Sequence, residues 1–353
     1  MRVLFRADAS SRIGTGHVYR CMALAEELAG RGHEVLFACR DAPGGLFGLL
    51  SQRGYTAVVL PDDPDESADA AATRAQAGAG WDWLVVDHYG LTARFEQAVR
   101  PLTRRLLALD DLADRHHDCD ALVDSSHGAE EAGVYDALVP PGCLRLVGQN
   151  YVILRKAFRA LVPRPPCVEV RRLLVSFGGN DPVGMTLRAL TTLARPTFAG
   201  LSIEVASSHA NPRLEEVRAA AAALPNACLH VDAADFERIL ESVDLCLGAG
   251  GTTTWERMYV GKPALVAILA ANQTEMTERL ARLGLIASLG HAEAVDDDYL
   301  AARLLDTIAD AGWRRAAGEA GMRLVDGRGA ARIADTMQAV AEARKPQPAP
   351  KHG

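Results

Sequence analysis

Short apolar runs recur along the chain with helical patterns between them, and that alternation restricts the fold to parallel sheets covered by helices on both faces. In the first half the runs fall at 3–5, 34–38, 56–60, 83–87, 106–109, 122–124 and 144–147. An acidic, Ala-rich helix is expected over 66–79. Pro163, Pro165 and Pro166 interrupt the pattern and read as a linker. The alternation restarts at 173–177 and continues at 201–205, 229–231, 244–247 and 264–268, with helical spacing from 297 to 344. The expected division is one α/β domain over 1–162 and a second over 167–344, followed by a disordered Pro-containing tail at 345–353. Two doubly wound, Rossmann-like halves would leave a cleft for a ligand, because such sheets bind beyond the carboxyl ends of their strands.

Size and composition agree with that division. At 353 residues, the chain exceeds one ordinary core, and 49% hydrophobic with 24% charged residues describes a globular protein. A formal net charge of −7, with no run of Lys and Arg, argues against nucleic acid as a partner. No apolar stretch has membrane-spanning length, so no membrane insertion is expected. The first strand begins at once, so no signal peptide is expected. Seven cysteines without a C-x-x-C pair read as reduced thiols, and the expected compartment is the cytoplasm.

Two glycine turns carry the chemistry. Residues 13–17 (Ile-Gly-Thr-Gly-His) join the first strand to a helix whose inward positions are Val18, Cys21, Met22, Ala25 and Leu28, with Gly32 as its stop. Amides and a positive dipole end there disfavour imidazolium, so His17 is expected to be neutral near pH 7 and able to take a proton. The plain alternative is a histidine that caps the helix or faces solvent. The second turn, Gly248 to Thr254, offers three glycines and three threonine hydroxyls at a helix start, a pattern suited to an anion or simply to chain reversal. It lacks the Gly-Lys-Thr ending of a nucleoside-triphosphate loop. Glu256 stands where it could accept from ribose hydroxyls or merely cap the helix; Asn272 and Gln273 could bond a sugar or cap the helix that follows. Gly178 and Gly179 form a further strand-to-helix turn. The first turn lacks the third glycine and the acidic partner of a dinucleotide site, which disfavours a nicotinamide cofactor. His116, His117 and His127, near Asp110, Asp111, Asp118 and Asp120, fit no familiar metal spacing and read as surface loop residues.

Several blocks match a known family. Residues 6–10 (Arg-Ala-Asp-Ala-Ser), 13–18, 87–91 (Asp-His-Tyr-Gly-Leu), 110–115 (Asp-Asp-Leu-Ala-Asp-Arg), 250–256 (Gly-Gly-Thr-Thr-Thr-Trp-Glu) and the pair Asn272-Gln273 occur in the family's order. Together they resemble UDP-2,4-diacetamido-2,4,6-trideoxy-β-L-altropyranose hydrolase, the nucleotide-sugar hydrolase family of pseudaminic acid synthesis. That family looks like the GT-B glycosyltransferases, especially the UDP-N-acetylglucosamine transferase of peptidoglycan synthesis. Tyr19 and Met258 fall where members vary, and the tail has no counterpart. The resemblance implies a GT-B fold and a small-molecule UDP-sugar substrate. It implies hydrolysis with His17 as general base; inversion is expected, and helix-start amides in place of a metal, with no cofactor. UDP would be held by Gly178, Gly179, Gly250, Gly251, Thr252, Thr253 and Glu256. The sugar would meet Gly14, Gly16, Arg20, Asp87, Tyr89, Asn272 and Gln273. A monomer is expected. The rival readings are a GT-B glycosyltransferase with a UDP-sugar donor, and a nucleotide-sugar binding protein without catalysis.

Overall fold

The computed structural model describes residues 1–10, 15–40, 42, 45–62, 65–126 and 128–343. The expected tail at 345–353 lies outside them. Contacts divide the chain into two units, the first comprising Met1–Ser10, His17–Arg155 and the stretch from Arg328, the second Lys156–Gly327.

The first unit is built on seven parallel strands: β1 (Arg2–Ala7), β2 (Glu34–Arg40), β3 (Thr56–Leu60), β4 (Trp83–Asp87), β5 (Leu106–Leu109), β6 (Ala121–Asp124) and β7 (Leu144–Val147). Their order is β3-β2-β1-β4-β5-β6-β7, so the direction of winding reverses between β1 and β4. Ala7 pairs with Asp87 at that point, which sets the carboxyl ends of the two strands side by side. Central strands are buried on both faces. Val3 and Phe5 pack with Val18, Cys21, Leu24 and Leu28 of helix Gly16–Gly30. Leu4, Leu84 and Val86 face the opposite layer with Phe95 and Val99. The helix Gly16–Gly30 ends as its sequence requires. Gly32 takes φ 79°, its N–H reaches the Ala29 carbonyl at 2.9 Å, and the His33 N–H reaches that of Leu28 at 3.1 Å. This pair of bonds satisfies the last carbonyls and turns the chain into β2.

The second unit carries six parallel strands: β8 (Arg172–Ser176), β9 (Ser202–Ser207), β10 (Ala227–Val231), β11 (Leu245–Ala249), β12 (Ala264–Ile268) and β13 (Ala287–His291), in the order β10-β9-β8-β11-β12-β13. Its reversal lies between β8 and β11. Every strand expected from the apolar runs is present. β13 has no such signal: it holds few apolar residues, and its pairing slips between Val266 and Ala267, beside Gly290 at φ 78°. Among the described residues no helix is long and apolar enough to cross a membrane.

Contacts give a division other than the expected 1–162 and 167–344, chiefly in one helix. Helix Gly329–Glu342 packs on the first unit: Ala330, Ile333, Ala334 and Met337 are buried in its core beside Val3, Phe5 and Trp83. Trp83 Nε1 donates to the Met337 carbonyl at 3.1 Å, and Arg31 bonds Asp335 and Gln338 at 2.6 Å each. Helical spacing identifies an apolar stripe but not the sheet that it covers. Residues 160–171 contain neither helix nor strand, in keeping with the Pro-rich link, although contacts set the boundary at Arg155 and Lys156. Ile333→Ala is expected to lower stability by about 2–5 kcal/mol, as buried large-to-small changes do, measured by denaturant unfolding; an unchanged midpoint would mean that the helix is not part of this core.

Candidate active site

His17 lies in the first turn of helix Gly16–Gly30 and is 6% exposed. Its Nδ1 faces Asp87 Oδ1 at 2.6 Å, and the ring stands edge-on to Tyr89 with centroids 4.4 Å apart. Asp87, the last residue of β4, is fully buried. Arg20, one turn along the same helix, clamps it through Nε at 2.9 Å and Nη2 at 2.7 Å. The Cys21 thiol approaches the same carboxylate at 3.6 Å. Burial opposes the carboxylate's charge, but Arg20 and His17 outweigh it and hold Asp87 below the usual carboxylate range. Nδ1 turned to the ionised Asp87 leaves Nε2 as the nitrogen open to a reacting group, an arrangement suited to a base with an orienting carboxylate. Asp87 was expected to meet a sugar. In this structure His17 and Arg20 occupy both its oxygens.

Arg20 also reaches Asp111 Oδ2 at 3.3 Å, and the Tyr89 hydroxyl donates to that oxygen at 3.2 Å. Burial pushes the Asp111 carboxyl above its ordinary value. Thus His17, Arg20, Asp87 and Tyr89 come together, joined by Asp111, at the ends of β4 and β5. Gly16 opens the helix; Gly14 lies outside the described residues.

Beside them sits a charged network to which the sequence analysis assigns no role. Arg6, fully buried on β1, bonds Asp8 through Nη1 at 2.7 Å and Nη2 at 2.8 Å. It also bonds Asp69 through Nε at 2.9 Å and Nη2 at 2.5 Å. Arg40 adds its backbone N–H to Asp8 at 2.8 Å and its guanidinium to Asp69 at 2.6 Å. His88 Nε2 lies 3.4 Å from Asp8. An arginine inside an apolar strand is the one signal that could have pointed here, since a buried guanidinium needs partnered carboxylates.

A third cluster supports the Asp110–Asp111 segment. Tyr135 donates to Asp110 at 3.1 Å and Asp124 at 2.8 Å, and Arg115 lies 2.8 Å from Asp110. His117 is not a surface loop residue: it is buried, with Nδ1 2.8 Å from Glu96 and Nε2 3.7 Å from Asp110. His116 is exposed, as expected, and His127 lies outside the described residues.

In the second unit, β8 runs into Gly178, at φ 86°, and Gly179. Asp181 then caps helix Met185–Leu193, accepting from the amides of Gly184 at 3.1 Å, Met185 at 3.0 Å and Thr186 at 2.7 Å. That helix start is therefore filled by the chain's own carboxylate. The turn after β11 is different. A Cβ on Gly248 would stand 2.3 Å from the Ser176 carbonyl, and one on Gly250 would stand 2.2 Å from Thr277 Oγ1, so neither position accepts a side chain without a shift. Gly251 has open space around it. Arg257, 2% exposed, holds the turn from beneath by donating to the Ala249 carbonyl at 2.6 Å and to Thr254 Oγ1 at 2.9 Å. Thr252 precedes helix Thr253–Tyr259, and half-buried Glu256 lies in its first turn. Gln273 Oε1 accepts from the Leu269 N–H at 2.9 Å, so it caps its own turn, while Asn272 is exposed.

Comparison with known proteins gives the class first. No protein-family model matches the chain. The two doubly wound units have the GT-B glycosyltransferase fold: the calicheamicin glycosyltransferase CalG4 superposes with a TM-score of 0.67 at 18% identity, covering 98% of this chain and 100% of that one. In sequence the chain is similar to the UDP-2,4-diacetamido-2,4,6-trideoxy-β-L-altropyranose hydrolase of Campylobacter jejuni subsp. jejuni serotype O:2, at 25% identity over 287 residues, which is 80% of this chain and 97% of that protein. It is also similar to the spore coat polysaccharide biosynthesis protein SpsG of Bacillus subtilis (strain 168), at 24% identity over 346 residues, covering 96% and 98% of the two. The resemblance read from the motifs is borne out.

His117 provides a pH signature for this part of the structure. Burial disfavours its charge, but Asp110 and Glu96 outweigh that and raise its pKa to about 9. In the unfolded chain a histidine titrates near 6.5, so the stabilisation is complete below about pH 6.5 and disappears as pH rises through about 9. The difference is on the order of 3 kcal/mol. His117→Gln should flatten the fall in stability between these pH values, measured by denaturant midpoints; an equally steep fall in the variant would assign it to other groups.

Proposed function

We propose that the protein hydrolyses a UDP-sugar at the anomeric carbon, releasing UDP and the free sugar. One observation carries this reading above the rest: His17, oriented through Nδ1 by a buried Asp87 that Arg20 holds ionised, keeps Nε2 for a proton. The named activity of the Campylobacter relative supplies the substrate class, and 2,4-diacetamido-2,4,6-trideoxy-β-L-altropyranose is the sugar that follows from it. Nε2 takes a proton from water as the water oxygen attacks the anomeric carbon. The bond from that carbon to the diphosphate oxygen breaks with inversion, and the electron pair leaves on UDP. The Gly250–Thr253 turn is the proposed diphosphate site, where backbone amides stabilise the departing charge. Glu256 would accept the ribose hydroxyls. A glycosyltransferase with an acceptor hydroxyl in place of water is the second reading, favoured by the fold of CalG4.

Incubation with a panel of UDP-sugars in ¹⁸O-water, without acceptor, tests the proposal by mass spectrometry. Hydrolysis at carbon puts the label in the sugar. Label in UDP would mean attack at phosphorus, and release of UDP only when an acceptor is added would make the protein a transferase. His17→Ala is expected to lower turnover by about two to four orders of magnitude, the contribution of a general base, with UDP affinity unchanged. Asp87→Asn should lower turnover and alter its pH profile by mis-setting the imidazole tautomer, again without effect on UDP affinity. Near-full turnover of His17→Ala would exclude this mechanism. Glu256→Ala is expected to weaken UDP binding by roughly ten- to a hundredfold and to erase discrimination against 2′-deoxy-UDP, since charge-assisted bonds contribute roughly 1.5–3 kcal/mol. Calorimetric titration with both nucleotides reads this directly, and unchanged affinity would move the ribose site elsewhere.

A further inference from the structure

Three metal-binding side chains of different kinds meet on the edge of the second sheet. Glu204 of β9 and Cys228 and His230 of β10 present a carboxylate oxygen, a thiol sulfur and an imidazole nitrogen, all within 4.8 Å of one another. Among the described residues, no other group of three or more His, Cys, Asp or Glu gathers this closely. Strand geometry explains the cluster. Parallel pairing sets Cys228 opposite Glu204, and the two-residue period of a strand returns His230 to the face of Cys228. Leu229, between them, turns to the opposite face and packs against the core. Because β10 is an edge strand, the cluster opens to solvent: Cys228 is exposed, His230 half-buried and Glu204 8% exposed.

We propose that Glu204, Cys228 and His230 bind a divalent cation of the Zn²⁺ type, with water completing the coordination. One thiolate, one imidazole and one carboxylate form a borderline-soft donor set that suits Zn²⁺ and serves Mg²⁺ or Ca²⁺ poorly. Bonds of about 2.0–2.3 Å to a tetrahedral ion separate its ligand atoms by about 3.3–3.8 Å. The Glu204 Oε2–His230 Nε2 contact, 2.7 Å without an ion, has to open by about 1 Å to reach that spacing. Arg172 Nη2 holds the other oxygen, Oε1, at 2.7 Å, which leaves Oε2 turned to the imidazole. Such a partner orients a ligating carboxylate while reducing its charge. Cys228 loses its thiol proton on binding and His230 binds as the neutral ring, so affinity rises with pH. The ion would tie the edge strand β10 to β9. None of these residues takes part in the proposed hydrolysis, so the site is structural or sensory.

The full-length protein, stripped with a chelator, is titrated with Zn²⁺ and with Co²⁺. One equivalent of each is expected to bind, with Co²⁺ producing a near-ultraviolet thiolate-to-metal charge-transfer band and Zn²⁺ raising the unfolding temperature. Cys228→Ser should abolish the band and weaken Zn²⁺ binding by at least about a hundredfold, more than loss of an outer-shell partner costs. Cys167→Ser, which removes another exposed thiol, should leave both unchanged. Circular dichroism establishes that each variant is folded. Absence of stoichiometric binding, a charge-transfer band that survives Cys228→Ser, or one that vanishes in Cys167→Ser would each overturn the site.

Discussion

The carboxylate of Asp87 has no solvent to stabilise its charge, and the chemistry of the first unit follows from how that charge is met. Arg20 takes both oxygens and His17 takes one, each from the helix that follows β1. The pairing fixes the rotation of that helix against the sheet. It also fixes which imidazole nitrogen carries a proton. A buried ion pair of this kind contributes little net stability, because desolvation offsets most of the attraction, but loss of either partner leaves an uncompensated charge. Its value here lies in geometry: it holds the His17 imidazole in one orientation.

In the central strands of the first unit, charge is confined to the ends for a related reason. Helices cover both faces, so Val3, Leu4 and Phe5 meet only apolar neighbours. Polar side chains appear where the strands stop, and the winding reversal between β1 and β4 keeps connecting helices from closing over that point. Asp8, His88 and Asp87 follow or finish these two strands. Arg6 is the exception, a cation inside β1, and it is tolerated because Asp8 and Asp69 together occupy its guanidinium.

The second unit holds its glycine turns in different ways. Of its two glycine turns, the one after β8 leads into a helix whose amides Asp181 already fills. Arg257 braces the turn after β11 from below through the Ala249 carbonyl. That contrast separates two turns that look alike in sequence.

The sequence alone determined the strand and helix alternation, the two sheets, and the place of His17 at a glycine turn, because these depend on local periodicity and on turn chemistry that neighbours in the chain supply. Asp87, Tyr89 and Asp111 were legible as strand-end residues for the same reason. Their roles were not. Only the packed sheet sets Asp87 of β4 against His17 and Arg20, far away in the chain, and buries its carboxylate between them. His117 looked like a loop histidine, since nothing local reveals that Glu96 and Asp110 enclose it. The helix Gly329–Glu342 has an apolar stripe that would suit either sheet, and tertiary packing gave it to the first. Partners distant in sequence meet only when the chain is compact, which is why charge pairing and domain membership belong to the tertiary structure while element type belongs to the sequence.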